Sequence, residues 1–262
     1  MNNSLYIAAT GMQAQQLGLD TIANNLTNLN TPAYKTSTVN FQEMMYADPA
    51  GPHLPETDND AVVSANPYGE GVAVASVSKD FTPGTLTQTG SPMDLAIQGN
   101  GFLEVSLPDG THAYTRGGTL RVSKDNFLLS PQGHELKPSI RLPLNPTGIS
   151  IAADGVVTAT TAASPQGIQV GQIELASFSN PGALKPLGDG NYQPTDASGK
   201  PVYSKPGEVG TGLLAQGSLE GSNVNMVNQM VALMVAQRAY ELSSKVIQTS
   251  DELMSLTNNL RR

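Results

Sequence analysis

The sequence predicts an α+β fold of several segments. An N-terminal and a C-terminal helix form a coiled coil, and a mostly antiparallel β domain is inserted between them. Apolar residues recur at seven-residue spacing at both ends of the chain, as in coiled-coil helices. The middle instead alternates short β-type runs with turns rich in glycine, proline, asparagine and aspartate. At 262 residues the chain is long enough to bury a substantial core.

The first thirty residues contain two rows of apolar side chains at coiled-coil spacing. The packing positions assigned to this helix are Leu5, Met12, Leu19, Ile22, Leu26 and Leu29. Because proline disfavours the α conformation in the residue before it, Pro32 places the helix end at Asn30 and Thr31. Residues 1–34 are therefore predicted to form the first half of an inner coiled-coil domain.

The C-terminal segment, residues 222–262, shows the same pattern over a longer run. Its packing positions are Met226, Leu233, Tyr240, Ile247 and Met254, which lie seven residues apart. Asn223 or Asn225 is suited to cap the start of this helix. This segment is predicted to supply the second half of the inner domain.

Charge is unusually scarce on the first helix, because residues 1–31 contain a single charged side chain, Asp20. A solvent-exposed helix normally has a charged face, so we interpret this helix as one that protein covers on most sides. Neighbouring subunits would supply that cover. Two terminal helices packed together in an ordinary monomer would explain the same rows, and the residues alone leave both interpretations open.

Three further segments are predicted between the helices. Residues 35–71 form an extended arm, expected to be a hairpin, because proline, glycine and acidic residues are concentrated in it. Its apolar anchors are Phe41, Met44 and Tyr46. Residues 72–200 form the β-rich outer domain, in which strand-like runs alternate with hairpin turns. Residues 201–221 return as an extended linker to the last helix.

The composition excludes several function classes. A net charge of −8 argues against nucleic-acid binding by phosphate neutralisation. The absence of cysteine excludes thiol catalysis and zinc–thiolate sites. The three histidines are scattered, and no nucleophile, phosphate-binding or dinucleotide motif occurs. We therefore predict no catalytic residue, metal or cofactor. No apolar run is long enough to span a membrane, and the N-terminus lacks the features of a cleaved secretory signal.

The most distinctive local sequence is ANNLTNLNTPAYK at residues 23–35, where asparagine is unusually frequent at a helix end. It is accompanied by DLAIQGNGF at 94–102, GSLEGSNVN at 217–225 and QRAYE at 237–241. Together these motifs resemble the signatures of the bacterial flagellar rod and hook axial family, over essentially the whole chain. The residues taken as family signature and assembly positions are Asn24, Asn25, Asn28, Asn30, Thr31, Gln237 and Arg238. We expect Asn24, Asn25 and Asn28 to bond across subunits or to the returning C-terminal helix.

The resemblance implies a structural role. Members of this family polymerise into a hollow helical tube that transmits torque from motor to hook. They are exported by the flagellar type III apparatus without a cleaved signal. The length and the arm most resemble the distal rod members, whose partners are further copies, the proximal rod and hook proteins, and the P-ring and L-ring proteins. The implied location is the basal body, from the periplasm to the outer membrane, without membrane insertion.

Two alternatives remain from the sequence. A proximal rod or hook-type subunit belongs to the same family, although a hook protein usually has a further outer domain for which this chain has no room. Ala33 and Tyr34 also stand where glycine and phenylalanine are common in the family. An extracellular β-rich carbohydrate-binding protein is a remote alternative, which the absence of tryptophan disfavours.

Overall fold

The computed structural model describes residues 2–45, 69–162, 164–208 and 210–259. The two helices are α1 (Asn2–Thr27) and α2 (Met226–Asn259), and a short 3₁₀ turn spans Pro181–Ala183. The strands are β1 (Ser37–Met45), β2 (Gly69–Lys79), β3 (Leu86–Gln88), β4 (Asp94–Gln98), β5 (Leu103–Ser106), β6 (His112–Thr115), β7 (Gly117–Thr119), β8 (Arg121–Val122), β9 (Leu128–Leu129), β10 (Glu135–Lys137), β11 (Gly148–Ile151), β12 (Val156–Thr161), β13 (Ser164–Gln172), β14 (Leu175–Ser177), β15 (Lys185–Gly188), β16 (Asn191–Gln193), β17 (Val202–Ser204), β18 (Leu213–Gln216) and β19 (Ser218–Glu220).

The terminal helices and the antiparallel β domain predicted from the sequence are confirmed. α1 ends at Thr27 and continues as two turns, in which the Leu29 and Thr31 amides donate to the Leu26 and Asn28 carbonyls. Leu29 therefore lies just beyond the helix. The structure does not show the predicted coiled coil between the helices. None of the helices it describes is long and apolar enough to cross a membrane.

The described residues divide into two compact units. Unit 1 comprises those of 1–24, 38–77 and 227–262, and unit 2 comprises those of 25–37 and 78–226. Unit 1 therefore contains most of both helices together with most of β1 and β2, which are hydrogen-bonded neighbours. Unit 2 contains the other strands.

Close packing between β2 and α1 in unit 1 depends on a glycine. Gly71 has φ of 115°, and a Cβ there would collide with the Thr10 hydroxyl, so β2 approaches α1 closely. A Cβ at Gly11 would lie 3.8 Å from the Ser243 hydroxyl oxygen of α2. Among the described residues, the buried apolar side chains of unit 1 are only the small Ala8, Ala14 and Ala236. The larger apolar side chains of this unit are therefore partly or largely exposed.

Unit 2 is built around a seven-stranded antiparallel sheet in the order β15-β16-β6-β5-β10-β9-β8. The three-stranded sheets β11-β12-β13 and β18-β4-β7 contribute to its main aliphatic core, which includes Leu95, Val105, Leu136 and Val157. β5 shows why these strands form, because its buried Leu103 and Val105 alternate with half-buried Glu104 and Ser106.

A second core cluster in unit 2 is aromatic. Phe81, Phe102, Tyr114, Phe178 and Tyr192 pack edge to face, with ring centroids 4.9 to 6.2 Å apart. Five of the thirteen aromatic residues of the chain (eight tyrosines and five phenylalanines) therefore lie in one cluster.

Two segments predicted to connect the domains, residues 201–221 and the described ends of 35–71, contain β strands. Residues 201–221, predicted as an extended return, include β17, β18 and β19, which pair with β14, β4 and β3. The described ends of the 35–71 arm are β1 and the start of β2. Tyr46, one of its predicted anchors, lies outside the described residues. Phe41 is exposed and Met44 lines a groove beside α1.

We predict that Gly117→Ala is much more destabilising than Gly110→Ala. Both glycines have positive φ, 112° and 81°, so alanine adds backbone strain of about 1–2 kcal/mol at either site. Only at Gly117 would the new Cβ also meet backbone, 2.5 Å from the Leu95 carbonyl oxygen, whereas nothing lies within 4 Å at Gly110. The clash should add about 2 kcal/mol to the loss of unfolding free energy in urea. Equal losses for the two variants would contradict this packing.

Candidate functional site

The segments that follow α1 and precede α2 meet at a buried ion cluster within unit 2, which we call the junction (Lys35, Arg116 and Glu220). All three side chains are at most 2% exposed. The Lys35 ammonium lies 2.7 Å from Glu220 Oε1, and Arg116 Nε lies 3.1 Å from Glu220 Oε2. One carboxylate therefore ties a residue near the N-terminus, a β-domain residue and a residue near the C-terminus.

Glu220 accepts hydrogen bonds from three directions. Besides Lys35 and Arg116 Nε, Arg116 Nη2 donates to its Oε1 at 3.2 Å and the Gly84 amide donates at 3.0 Å. Burial raises the pKa of the Glu220 carboxyl, but the Arg116 guanidinium and the Lys35 ammonium outweigh it and hold that pKa below its usual value of 4.5. The carboxylate is therefore ionised at neutral pH and fully compensated.

Backbone carbonyls also accept hydrogen bonds from both cations. Arg116 Nη1 donates to the Gly101 carbonyl at 2.8 Å and Nη2 to the Gly99 carbonyl at 2.9 Å. Lys35 donates to the Thr82 carbonyl at 2.7 Å. Because buried charges are costly unless they are paired and hydrogen-bonded, this arrangement fixes the positions of the three chain segments that contribute to it.

Asn25, in the last turn of α1, holds the chain that follows this helix. This side chain is 1% exposed, and its amide donates to the Ser37 carbonyl at 2.8 Å. Its oxygen accepts from the Ser37 amide at 2.9 Å and from the Tyr34 hydroxyl at 3.1 Å. Asn25 thus holds residues 34–37 against the helix end, and these contacts lie within the chain.

Asn223 performs the matching role before α2. Its oxygen accepts from the amide and the hydroxyl of Thr36, at 2.8 and 2.7 Å. Its amide nitrogen donates to the Asp80 carbonyl at 2.8 Å and the Thr82 hydroxyl at 3.0 Å. The Ala33 amide also donates to the Glu220 carbonyl at 2.7 Å. The segment after α1 (residues 33–36) and the segment before α2 (residues 220–223), which we call the crossing segments, are therefore bound to each other as well as to the rest of unit 2.

A different surface lies on α2, where ten large apolar side chains of the described residues are 46 to 68% exposed. They are Met226, Val227, Met230, Val231, Met234, Val235, Leu242, Val246, Leu253 and Leu256. No charged residue occurs between positions 226 and 237. An apolar surface of this extent on one helix is typical of a protein–protein contact.

The predicted packing positions occupy two environments. The six on α1 and its following turn are half-buried, as are Leu233, Ile247 and Met254 on α2, whereas Met226 and Tyr240 are exposed. Asn24, Asn30 and Thr31 are exposed, and Asn28 accepts a hydrogen bond from Thr31. Gln237 is exposed, and Arg238 forms an exposed ion pair with Glu241. Their roles in assembly remain predictions.

The sequence alone does not identify the residues of the junction. Lys35, Glu220 and Asn223 lie inside the signature segments 23–35 and 217–225, but nothing in their spacing marks them as buried. The available signal was a single charged residue in each of these two motifs, in a chain with few charges. Asn223 is one of the two residues predicted to cap α2, but its side chain instead forms hydrogen bonds with Thr36, Asp80 and Thr82.

Within the described ranges, no group of three or more metal-ligating side chains is present.

Three family models match the chain, and together with this architecture they define the class of protein. The model described as Flagella basal body rod protein matches residues 5–35. The model described as Flagellar hook protein FlgE/F/G D1 domain matches residues 96–159, and the one described as Flagellar basal body rod FlgEFG protein C-terminal matches residues 215–260. The chain is thus an axial protein of the bacterial flagellum, of the rod and hook class.

Curated relatives narrow the class. The flagellar basal-body rod protein FlgG of Borreliella burgdorferi is 39% identical over 264 residues, covering 100% of both chains. FlgG of Caulobacter vibrioides is 41% identical, over 98% of this chain and 99% of the relative. The basal-body rod protein FlgF of the same organism is 29% identical, over 97% and 95%. The chain belongs to the family of the flagellar basal-body rod protein FlgG, as the resemblance to distal rod members predicted.

We predict that Glu220→Gln lowers the unfolding free energy of unit 2 by about 3–5 kcal/mol, because it leaves two buried cations without an anion. The matched control is Glu241→Gln, which removes the anion of an exposed ion pair and should cost less than about 1 kcal/mol.

The pH dependence separates a charge effect from a shape effect. Because the folded state holds the pKa of Glu220 below 4.5, its stabilisation is present above that pH and is lost as the pH falls through the folded pKa. The difference between wild type and Glu220→Gln should therefore shrink in acid. A difference that stays constant from neutral pH down to strong acid would contradict the assignment.

Proposed function

We propose that this chain is a structural subunit of the flagellar distal rod, and that it polymerises into a hollow helical drive shaft. The shaft transmits torque from the motor to the hook, and exported subunits pass through its channel. The observation that carries the proposal is the exposed apolar face of α2 in a chain of the FlgG family. The role is mechanical and not catalytic.

The surfaces of unit 1 favour a polymer over a monomer. α1 has one charged side chain, so other helices can pack against it with little desolvation of ions. The exposed apolar side chains of α2 need cover that the described residues of one chain do not supply. A contact between unlike surfaces on successive copies builds a helical filament when the rotation between copies does not close a ring, and we propose this open arrangement. In that filament we propose that residues 1–31 and about 223–260 pair as a coiled coil.

The junction suits the mechanical role. Torque that passes along the chain between α1, α2 and the β strands must cross residues 25–37 and 220–226. These are the segments that Asn25, Asn223 and the Lys35–Glu220–Arg116 cluster hold in place. Buried charge pairs resist displacement because separating them exposes an uncompensated charge. The strands of unit 2 then form the outer wall of the tube.

We further propose that the subunit is exported through the flagellar type III apparatus and assembles between the proximal rod proteins and the hook protein. In that position the shaft runs from the periplasm to the outer membrane and turns inside the P and L rings. A proximal rod subunit is the alternative, supported by the weaker match to FlgF. The higher identity to FlgG over nearly the whole chain favours the distal rod.

We predict that Val235→Asp abolishes rod assembly and motility without changing the stability of the free subunit. Val235 is 64% exposed, so an aspartate there remains solvated in the free subunit but becomes a buried unpaired charge in the polymer. The readouts are basal bodies isolated from cells and the thermal unfolding of the purified chain. Val235→Ile keeps the site apolar and should assemble normally. Normal rods from Val235→Asp would contradict the proposal.

We predict that deleting residues 47–66 leaves export intact but gives rods that bend or have the wrong length. The prolines of this arm restrict φ and lower the entropy lost when it docks on a neighbour. Replacing the same residues by a glycine–serine linker of equal length separates docking from reach. If rods of either variant are as straight and as long as native rods in electron micrographs, the arm is only a linker.

A further inference from the structure

We propose that Arg238 of one copy forms an ion pair with Asp20 of a second copy, which seats the exposed face of α2 in a groove of unit 1. This inference rests on the proposed polymer and specifies the contact that sets its register.

The groove is formed by α1 and the strands β1 and β2, and has a volume of about 640 Å³. Its apolar wall includes Leu17, Met44, Val72 and Val74, and its polar wall includes Thr10 and Asp20. Asp20 is exposed, and has no ion-pair partner in the part of the chain that the structure describes. The groove therefore has one anionic position beside an apolar strip.

The face of α2 has the complementary arrangement. Val227, Val231, Met234, Val235 and Leu242 recur at helical spacing and are 49 to 68% exposed. Arg238 lies on the same face, one turn after Met234, and is the first charged residue of the helix. Its side chain is 82% exposed, and its one ion pair among the described residues is with Glu241, three residues later, a surface pair that contributes little. Arg238 is therefore free to exchange that partner for a carboxylate in a drier contact.

We assign a second copy of the chain as the occupant of the groove because a cation on its α2 can pair with Asp20. Over the residues of α2 that the structure describes, the cations are Arg238 and Lys245. Arg238 adjoins the uncharged stretch 226–237, whereas Lys245 lies two turns further along. A guanidinium also binds a carboxylate in a bidentate manner, which fixes the register more firmly than an ammonium does. The Arg238–Asp20 pair thus sets the position of the α2 face in the groove, which apolar contacts alone would not do.

A charge exchange tests this contact in the full-length chain. Asp20→Arg and Arg238→Asp should each reduce the number of complete rods per cell by at least about tenfold, because each places like charges together. The double variant Asp20→Arg with Arg238→Asp should restore rods to nearly the wild-type number. The specificity control, Asp20→Arg with Lys245→Asp, should not.

The possible results distinguish this inference from the proposed function. Normal rods from Asp20→Arg, no rescue by the exchange, or equal rescue by the Lys245 control would each overturn the pairing. The distal rod assignment would still stand if Val235→Asp abolished assembly. Unfolding curves of the free variants should match wild type because both side chains are exposed. A variant that assembles poorly because it misfolds would be identified there, and rescue by the exchange would then still decide the question.

Discussion

The rest of the structure depends on one interaction, the pairing of the buried Glu220 carboxylate with Lys35 and Arg116. An isolated ionised group in a protein interior is strongly disfavoured, so Glu220 is stable there only while Lys35 and Arg116 both face it. Lys35 comes from the segment after α1 and Arg116 from the connection between β6 and β7, while Glu220 itself precedes α2. The requirement to neutralise one charge therefore determines where both ends of the chain join the β unit.

Charge is distributed in a way that matches the two mechanical tasks. Unit 2 uses buried ions inside one subunit, where they hold a fixed geometry against load. The helices of unit 1 have few charges and expose apolar side chains, which associate without a large desolvation cost. In the proposed polymer, cohesion within a subunit therefore rests mainly on buried ions, and adhesion between subunits rests mainly on apolar contacts.

The parts of the fold that follow from local patterns were predictable. Seven-residue spacing identified both helices, and Pro32 indicated that the first one ends shortly before it. Glycine-containing turns such as Gly99–Gly101 indicated the β domain. The junction was not predictable in this way, because Lys35 and Glu220 are 185 residues apart and become partners only through the tertiary fold. For the same reason the aromatic cluster around Phe102 and the pairing of β18 with β4 could not be deduced. Asn25 was singled out by its unusual position in a helix, but its partners Tyr34 and Ser37 were visible only in the structure.

Native-state hydrogen exchange of the free subunit most directly tests whether the crossing segments belong to the core. The Ala33 amide, bonded to the Glu220 carbonyl, should open with the same free energy as the Phe102 amide, which is bonded to Ala176 inside the β unit. Equal protection at these two amides is the result that a rigid junction predicts. If Ala33 exchanged as fast as the turn amide of Glu208, the junction would be a flexible connection. It could not then be the element through which this subunit carries torque.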